Sequence, residues 1–456
     1  MDSADDFLYS TNLFFICYRD FLDHQLALCY SLVWILFFLG YFFYYYSSMT
    51  NQPNISKSPL FLFIFLFLLF LLSIGIYVVT PDNVFGNDFY VFHSASRALF
   101  IDDISPYAEQ VEIANQLGVY GRVAQPGENL LTFSYPPYAL FLFFPLAFLP
   151  LKLAQSIWIS FLFSLLLILP LLSFARIPKW ALISSFCLYP ISFGLILGNY
   201  AVLIGTLLVF ISGYLLYSEN QIPKLDIFTG ALLAFCTIKP QFSVLFILFI
   251  LVFALRSKRW HLIQSFIISF LVFIAFSFIL LPSWPVEWYQ QLFKYVDSNQ
   301  AIPHVTIFLQ LFLNEQTANL LSIVTTFLLF LVLVWMLRKW WLGSFSSLKI
   351  LAFIGFLTYF IHPRTVSYEQ IVFLVPFLIW IFSNPPSVST ITKLSFYFSA
   401  IFISWAGFFA AKAGWAALFP LEWIFLFYLI WMAYIFLPPQ TLYTSKLMTR
   451  QTPKLW

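Results

Sequence analysis

Residues 137–150 read PYALFLFFPLAFLP, and whether they cross a membrane decides the topology of everything after them. The run is apolar but short, interrupted by Pro145 and closed by Pro150. A spanning helix needs about 20 mostly apolar residues, and runs of about 10–14 are more often buried, re-entrant or interfacial. Longer runs lie at 26–46, 59–79, 153–174, 180–197, 200–217, 262–281, 316–337, 345–361, 393–411 and 416–437. Shorter candidates lie at 227–238, 241–255 and 368–382. If 137–150 turns back and all the others cross, 14 of the 22 Lys and Arg residues fall on one face, with only two acids, Glu219 and Asp226. That is the positive-inside pattern. If 137–150 crossed, the basic clusters at Arg176, Arg256 to Arg259 and Arg338 would move outside.

The expected architecture is therefore an all-α polytopic membrane protein of about 13 transmembrane helices, with 137–150 as a re-entrant or interfacial helix. Its N-terminus is expected outside and its C-terminus in the cytoplasm. Residues 1–25 form an outer N-terminal segment, 26–437 a single membrane domain and 438–456 a polar, basic cytoplasmic tail. A large outer loop, 80–136, carries seven acids and two basic residues, Arg97 and Arg122. A second outer loop runs from about Pro282 to Glu315. Cytoplasmic loops are short, so chemistry is expected at the outer face or within the membrane.

Composition agrees with that architecture. The chain has 456 residues, of which 62% are hydrophobic, 22% aromatic and 9% charged. Soluble domains carry about 25% charged residues. One water-soluble core of this length could not hide 60 Phe, 25 Tyr and 15 Trp, which excludes a soluble enzyme, a nucleic-acid binder and a disordered chain. The four cysteines, Cys17, Cys29, Cys187 and Cys236, form no CxxC pair and read as small buried hydrophobes. No HExxH, Walker, GxSxG or Cys/His zinc pattern occurs, and no metal or cofactor is expected.

Several polar groups interrupt the apolar sequence. In GNDFYVFHSASRALF, from Gly86, Asp88 stands at the expected water–lipid boundary among Phe89, Tyr90 and Phe92. On a helix, His93 and Arg97 share one face. Together the three supply a general base and a phosphate partner, or else Asp88 caps the helix and Arg97 snorkels to headgroups. Tyr135-Pro136-Pro137 forces an extended backbone and then starts a helix. Asn199, in Gly198-Asn199-Tyr200, meets a sugar hydroxyl or makes a tight turn. Lys239-Pro240-Gln241 puts an intramembrane lysine next to a lipid phosphate, unless it snorkels to the interface. His362-Pro363-Arg364, with Tyr368 and Glu369, binds phosphate or pairs internally. The adjacent acids Asp102-Asp103 read as solvated loop.

In this order the motifs resemble the glycosyltransferase-C superfamily. Within it they resemble family 87, the polyprenol-phosphate-mannose-dependent α-1,2-mannosyltransferase-like group. The resemblance rests on DFYVFHSASRAL from Asp88, SPYAE around Tyr107, the YPP…PLAFLP run from Tyr135 to Pro150, GNYAVLIGTLL from Gly198 and IKPQ from Ile238. It implies a GT-C-like bundle and a transferase that moves a sugar, mannose in the family, from a polyprenyl-phosphate donor to a glycan or glycolipid acceptor. The reaction would occur on the outer face of what is expected to be a bacterial plasma membrane. Asp88 is then the catalytic base of an inverting displacement. Lys239 is the first choice to hold the leaving phosphate, and Arg364 or Arg97 the second. His93, Asn199, Tyr135, Gln241 and His362 complete the expected substrate contacts. A lipid-linked-sugar flippase is the alternative, using the same cations and no base.

Overall fold

The computed structural model describes residues 59–80, 84–125, 128–173, 184–217, 221–298, 302–362, 367–382, 388–413 and 423–436. These residues are mostly helical and contain no β-strand. The expected span 26–46, the outer segment 1–25 and the tail 438–456 lie outside the described residues.

Five described helices are long and apolar enough to cross a membrane: Leu151–Leu169, Tyr200–Tyr217, Trp260–Leu280, Glu315–Trp341 and Thr390–Ala410. Their burial separates two roles. The apolar window of Tyr200–Tyr217 is 89% buried, whereas those of Trp260–Leu280 and Glu315–Trp341 are 11% and 17% buried. A helix apolar all round yet unburied by protein needs lipid as its solvent. Tyr200–Tyr217 is thus the central post, packed against the Leu151–Ser173, Ile371–Phe382 and Pro223–Phe235 helices.

The expected runs 59–79, 241–255 and 345–361 appear as the helices Pro59–Val79, Pro240–Arg256 and Ser347–Ile361. The expected continuous run 180–197 does not hold as one helix. A turn at 186–188 precedes a nine-residue helix, Tyr189–Leu197. Pro190, which has no backbone N–H, sits in that helix's first turn and suits a helix start rather than an interior. Residues 137–150 form a six-residue 3₁₀ turn, Pro137–Leu142, and one α-turn, Phe144–Ala147.

The two expected outer loops are helical and bound to each other. The first contains Asn87–Phe100 and Glu109–Tyr120, the second Trp284–Ser298 and His304–Gln310. Lys294 pairs with Glu112 at 2.8 Å, and Trp288 Nε1 donates to the Ser134 carbonyl at 3.1 Å. Ser105 hydrogen-bonds Glu287.

Far along the chain from these contacts, Asp226 Oδ1 accepts from Arg259 Nη1 at 2.8 Å and from the Tyr214 hydroxyl at 3.0 Å. The two charged side chains are only 2% and 5% exposed. Removing one partner of such a pair leaves the other charge buried. Asp226→Ala is therefore expected to cost about 3–5 kcal/mol of stability. A melting curve in lipid or detergent checks this, and an unchanged midpoint would contradict it.

Candidate active site

Asp88 lies in the first turn of Asn87–Phe100, one residue inside that helix. Gly86 occupies the cap position, and no side chain caps the helix. The carboxylate turns instead toward another segment, and its Oδ2 accepts from Asn199 Nδ2 at 2.9 Å. Asn199 follows Gly198, which ends the Tyr189–Leu197 helix in the left-handed region at φ 69°. The Asn199 Oδ1 accepts from the Ala201 N–H at 2.7 Å, which aims the amide NH2 group at Asp88. Of the two readings of Gly198-Asn199, the structure shows the turn, and the turn presents the Asn199 side chain to Asp88.

Lys239 lies where a 3₁₀ turn, Cys236–Ile238, meets the helix Pro240–Arg256. Pro240, with no N–H, starts that helix at a position where the donor would go unpaired anyway. The Tyr138 hydroxyl holds the break in place, donating to the Thr237 carbonyl at 3.0 Å. Lys239 is only 2% exposed, so it does not snorkel to water. Its ammonium forms an ion pair with Glu369 and sits 5.2 Å from the centre of the Tyr368 ring.

These groups form one cluster. Asp88 accepts a hydrogen bond from Asn199, lies near the Tyr368 hydroxyl and feels the charges of Lys239 and Glu369. Tyr135 lies beside Asn199 and packs against Phe92 and Tyr200, each with ring centres 5.3 Å away. Tyr295, on the Trp284–Ser298 helix, lies within electrostatic reach of Glu369, Tyr135, Lys239 and Asp88. Asn199 and Lys239 are buried, whereas Asp88, Tyr135 and Glu369 keep a partly exposed edge. Loss of water around Asp88 raises its carboxyl above the ordinary value, against the lowering effects of Asn199, Lys239 and Tyr368. A carboxylate that can take a proton thus stands beside an ammonium that can meet an anion.

The other expected site residues are placed differently. His93 and Arg97 do share a helix face, but it meets the PLAFLP segment. His93 Nε2 lies 3.1 and 3.2 Å from the Leu146 and Leu149 carbonyls, and Arg97 Nη1 donates to the Ala147 carbonyl at 2.9 Å. Burial pushes the His93 imidazole down to about 4, so it is neutral at physiological pH. These two side chains fasten the 143–149 segment to the Asp88 helix. Gln241 is exposed two residues beyond Lys239. His362 ends the Ser347–Ile361 helix, and its carbonyl accepts from the His304 N–H at 3.2 Å. Arg364 lies outside the described residues. Among the described residues, no three His, Cys, Asp or Glu side chains gather as a metal would require.

Sequence reasoning singled out neither Tyr295 nor the pairing of Glu369 with Lys239. The signal for Tyr295 is the amphipathic stretch WPVEWYQQLFKYVDS, which is a helix rather than a plain loop. Among known proteins, the model of glycosyltransferase family 87 matches residues 133–361, half of the chain. No curated protein and no solved structure matches it.

Proposed function

The chain belongs to glycosyltransferase family 87 and is a membrane enzyme that transfers glycosyl groups; from that premise we propose that it takes a sugar, mannose by the family resemblance, from a polyprenyl-phosphate donor. The acceptor is a glycan or glycolipid hydroxyl, and the reaction takes place on the outer face of a bacterial plasma membrane. The single observation that carries this reading is the meeting of Asp88, Asn199 and Lys239, from three distant segments, in one partly enclosed cluster. The outer face is supported by the distribution of Lys and Arg along the chain. The transporter alternative has no support from a family of transferases.

The acceptor hydroxyl docks at the exposed edge of Asp88. Asp88 removes the hydroxyl proton as the oxygen attacks the anomeric carbon from the side opposite the phosphate. The bond from that carbon to the phosphate oxygen breaks, and its electron pair leaves with the phosphate. The anomeric configuration is inverted. Lys239 meets the charge that grows on the phosphate. Asn199 holds one carboxylate oxygen, so the base presents a fixed direction to its substrate. Glu369 neutralises Lys239 until the donor phosphate takes part of that role.

The pH dependence follows from the environment of Asp88. A base works only when ionised, and this carboxyl is raised above its ordinary value by loss of water. Activity is therefore expected to fall as pH drops through a value above about 3.9, the ordinary Asp pKa. The test is transfer of labelled mannose from polyprenyl-phosphate mannose to a glycan mixture, using purified protein in lipid at a series of pH values. Donor that binds without label reaching any acceptor would overturn the reading. An acid limb at or below the ordinary Asp value would remove Asp88 from the role.

A further inference from the structure

Gln155 and Trp158 lie three residues apart on the Leu151–Ser173 helix and so share one face. Both are buried, at 0% and 2% exposure. Gln155 Oε1 accepts from the backbone N–H groups of Phe85 and Gly86 at 3.2 and 3.1 Å, immediately before the helix that carries Asp88. Trp158 Nε1 donates to the Gly198 carbonyl at 2.8 Å, immediately before Asn199. One helical face therefore grips both segments that supply the Asp88–Asn199 hydrogen bond.

The gripped segments also interlock. A Cβ at Gly86 would stand 2.7 Å from the Ile196 carbonyl oxygen and 2.9 Å from that of Leu197. A Cβ at Gly198 would stand 2.8 Å from the Phe89 Cβ, at a φ that favours glycine in any case. At Gly86 the approach is backbone to backbone, and at Gly198 the neighbours are the Phe89 and Trp158 side chains, so neither contact leaves room for a shift.

We propose that Gln155 and Trp158 are positioning residues that set the register of Asp88 against Asn199, with Gln155 acting solely as a hydrogen-bond acceptor. The role assigned to Asp88 rests on the reading above. The acceptor-only role follows from geometry. Two N–H donors converge on the Gln155 oxygen, and Gln155 Nε2 has no hydrogen-bond partner among the described residues. A carboxylate in its place accepts the same two bonds, which favour its charged form.

The test compares Gln155→Leu, Gln155→Glu and Trp158→Phe in the full-length enzyme in lipid. Gln155→Leu is expected to lower kcat by about 10–100-fold with donor KM within about threefold, because a shift near 1 Å costs about 10²-fold. Its acid limb moves to higher pH, since Asn199 no longer holds down the Asp88 carboxyl. Gln155→Glu restores kcat to within about threefold of wild type. Trp158→Phe keeps the ring packing against Phe143, 4.5 Å away between centres, and moves kcat in the same direction as Gln155→Leu. Amide hydrogen exchange gives a readout independent of activity: the Phe85 and Gly86 amides exchange faster in Gln155→Leu and are protected again in Gln155→Glu.

Wild-type kcat and acid limb in Gln155→Leu and Trp158→Phe would overturn the proposal. So would Gln155→Glu as slow and as unprotected as Gln155→Leu. Should Gln155→Leu fail to fold, Trp158→Phe and Gln155→Glu decide the matter. A wild-type enzyme without transfer, or an active Asp88→Asn variant, overturns the function of Asp88 instead, and the exchange data then still decide the register.

Discussion

Asn in place of Asp88 is expected to slow glycosyl transfer by about 10²–10⁴-fold while donor binding stays within about threefold of wild type. The substitution is nearly isosteric, so the surrounding packing of Phe89, Phe92 and Tyr135 is unchanged. The new amide oxygen still accepts from Asn199 Nδ2, the bond that measures 2.9 Å with the native carboxylate. What disappears is the capacity to take a proton. Comparison with Asn199→Ala separates chemistry from placement. That variant keeps the base but removes a donor that lowers the Asp88 carboxyl, so the loss is smaller and the acid limb moves up. Initial rates of label transfer and donor binding, measured on the same preparations, check both. Near wild-type turnover in Asp88→Asn would mean that the proton goes elsewhere, and Glu369 is then the next carboxylate to test.

The sequence carried the members of this site unequally, for physical reasons. From the residues alone Asp88 read equally as a base or as a helix cap, and only the family resemblance chose the base. Lys239 stood out more, as an ammonium between two apolar runs, which is costly inside a membrane. The helical face shared by His93 and Arg97 was also readable from spacing, but not what that face meets. Its partners are backbone carbonyls of residues 146–149, which carry no sequence label. Gln155 and Trp158 were invisible for a related reason: a Gln and a Trp inside a long apolar helix look like ordinary span residues until their backbone partners are known. The break before Tyr189 was also hidden, because hydropathy sums over Pro190 while helix geometry does not. Helix type followed from local pattern, whereas the pairing of Glu369 with Lys239 belongs to tertiary packing alone.

That pairing makes Lys239→Met ambiguous by itself and informative within a cycle. The lysine is 2% exposed and Glu369 12% exposed, so removing the ammonium leaves a nearly buried carboxylate with its charge uncompensated. Breaking a buried pair in this way costs about 3–5 kcal/mol of stability, and the small exposure of Glu369 puts this case toward the lower end. Transfer is expected to fall by about 10²–10³-fold as well, because the leaving phosphate loses its cation. The double variant Lys239→Met/Glu369→Gln removes both charges. It should regain most of the lost stability, since a neutral pair of similar volume often fits as well as the ions. It should regain no activity, because nothing positive faces the phosphate at that position. Glu369→Gln alone should keep Lys239 in reach of Asp88 and the Tyr368 ring, and should retain donor binding. Melting midpoints and kcat/KM for the four proteins in lipid check the cycle. Recovery of both quantities in the double variant would assign Lys239 only to the neutralisation of Glu369. Recovery of stability alone would leave the ammonium with the phosphate, since the two roles depend on different partners and only one of those partners has been restored to neutrality.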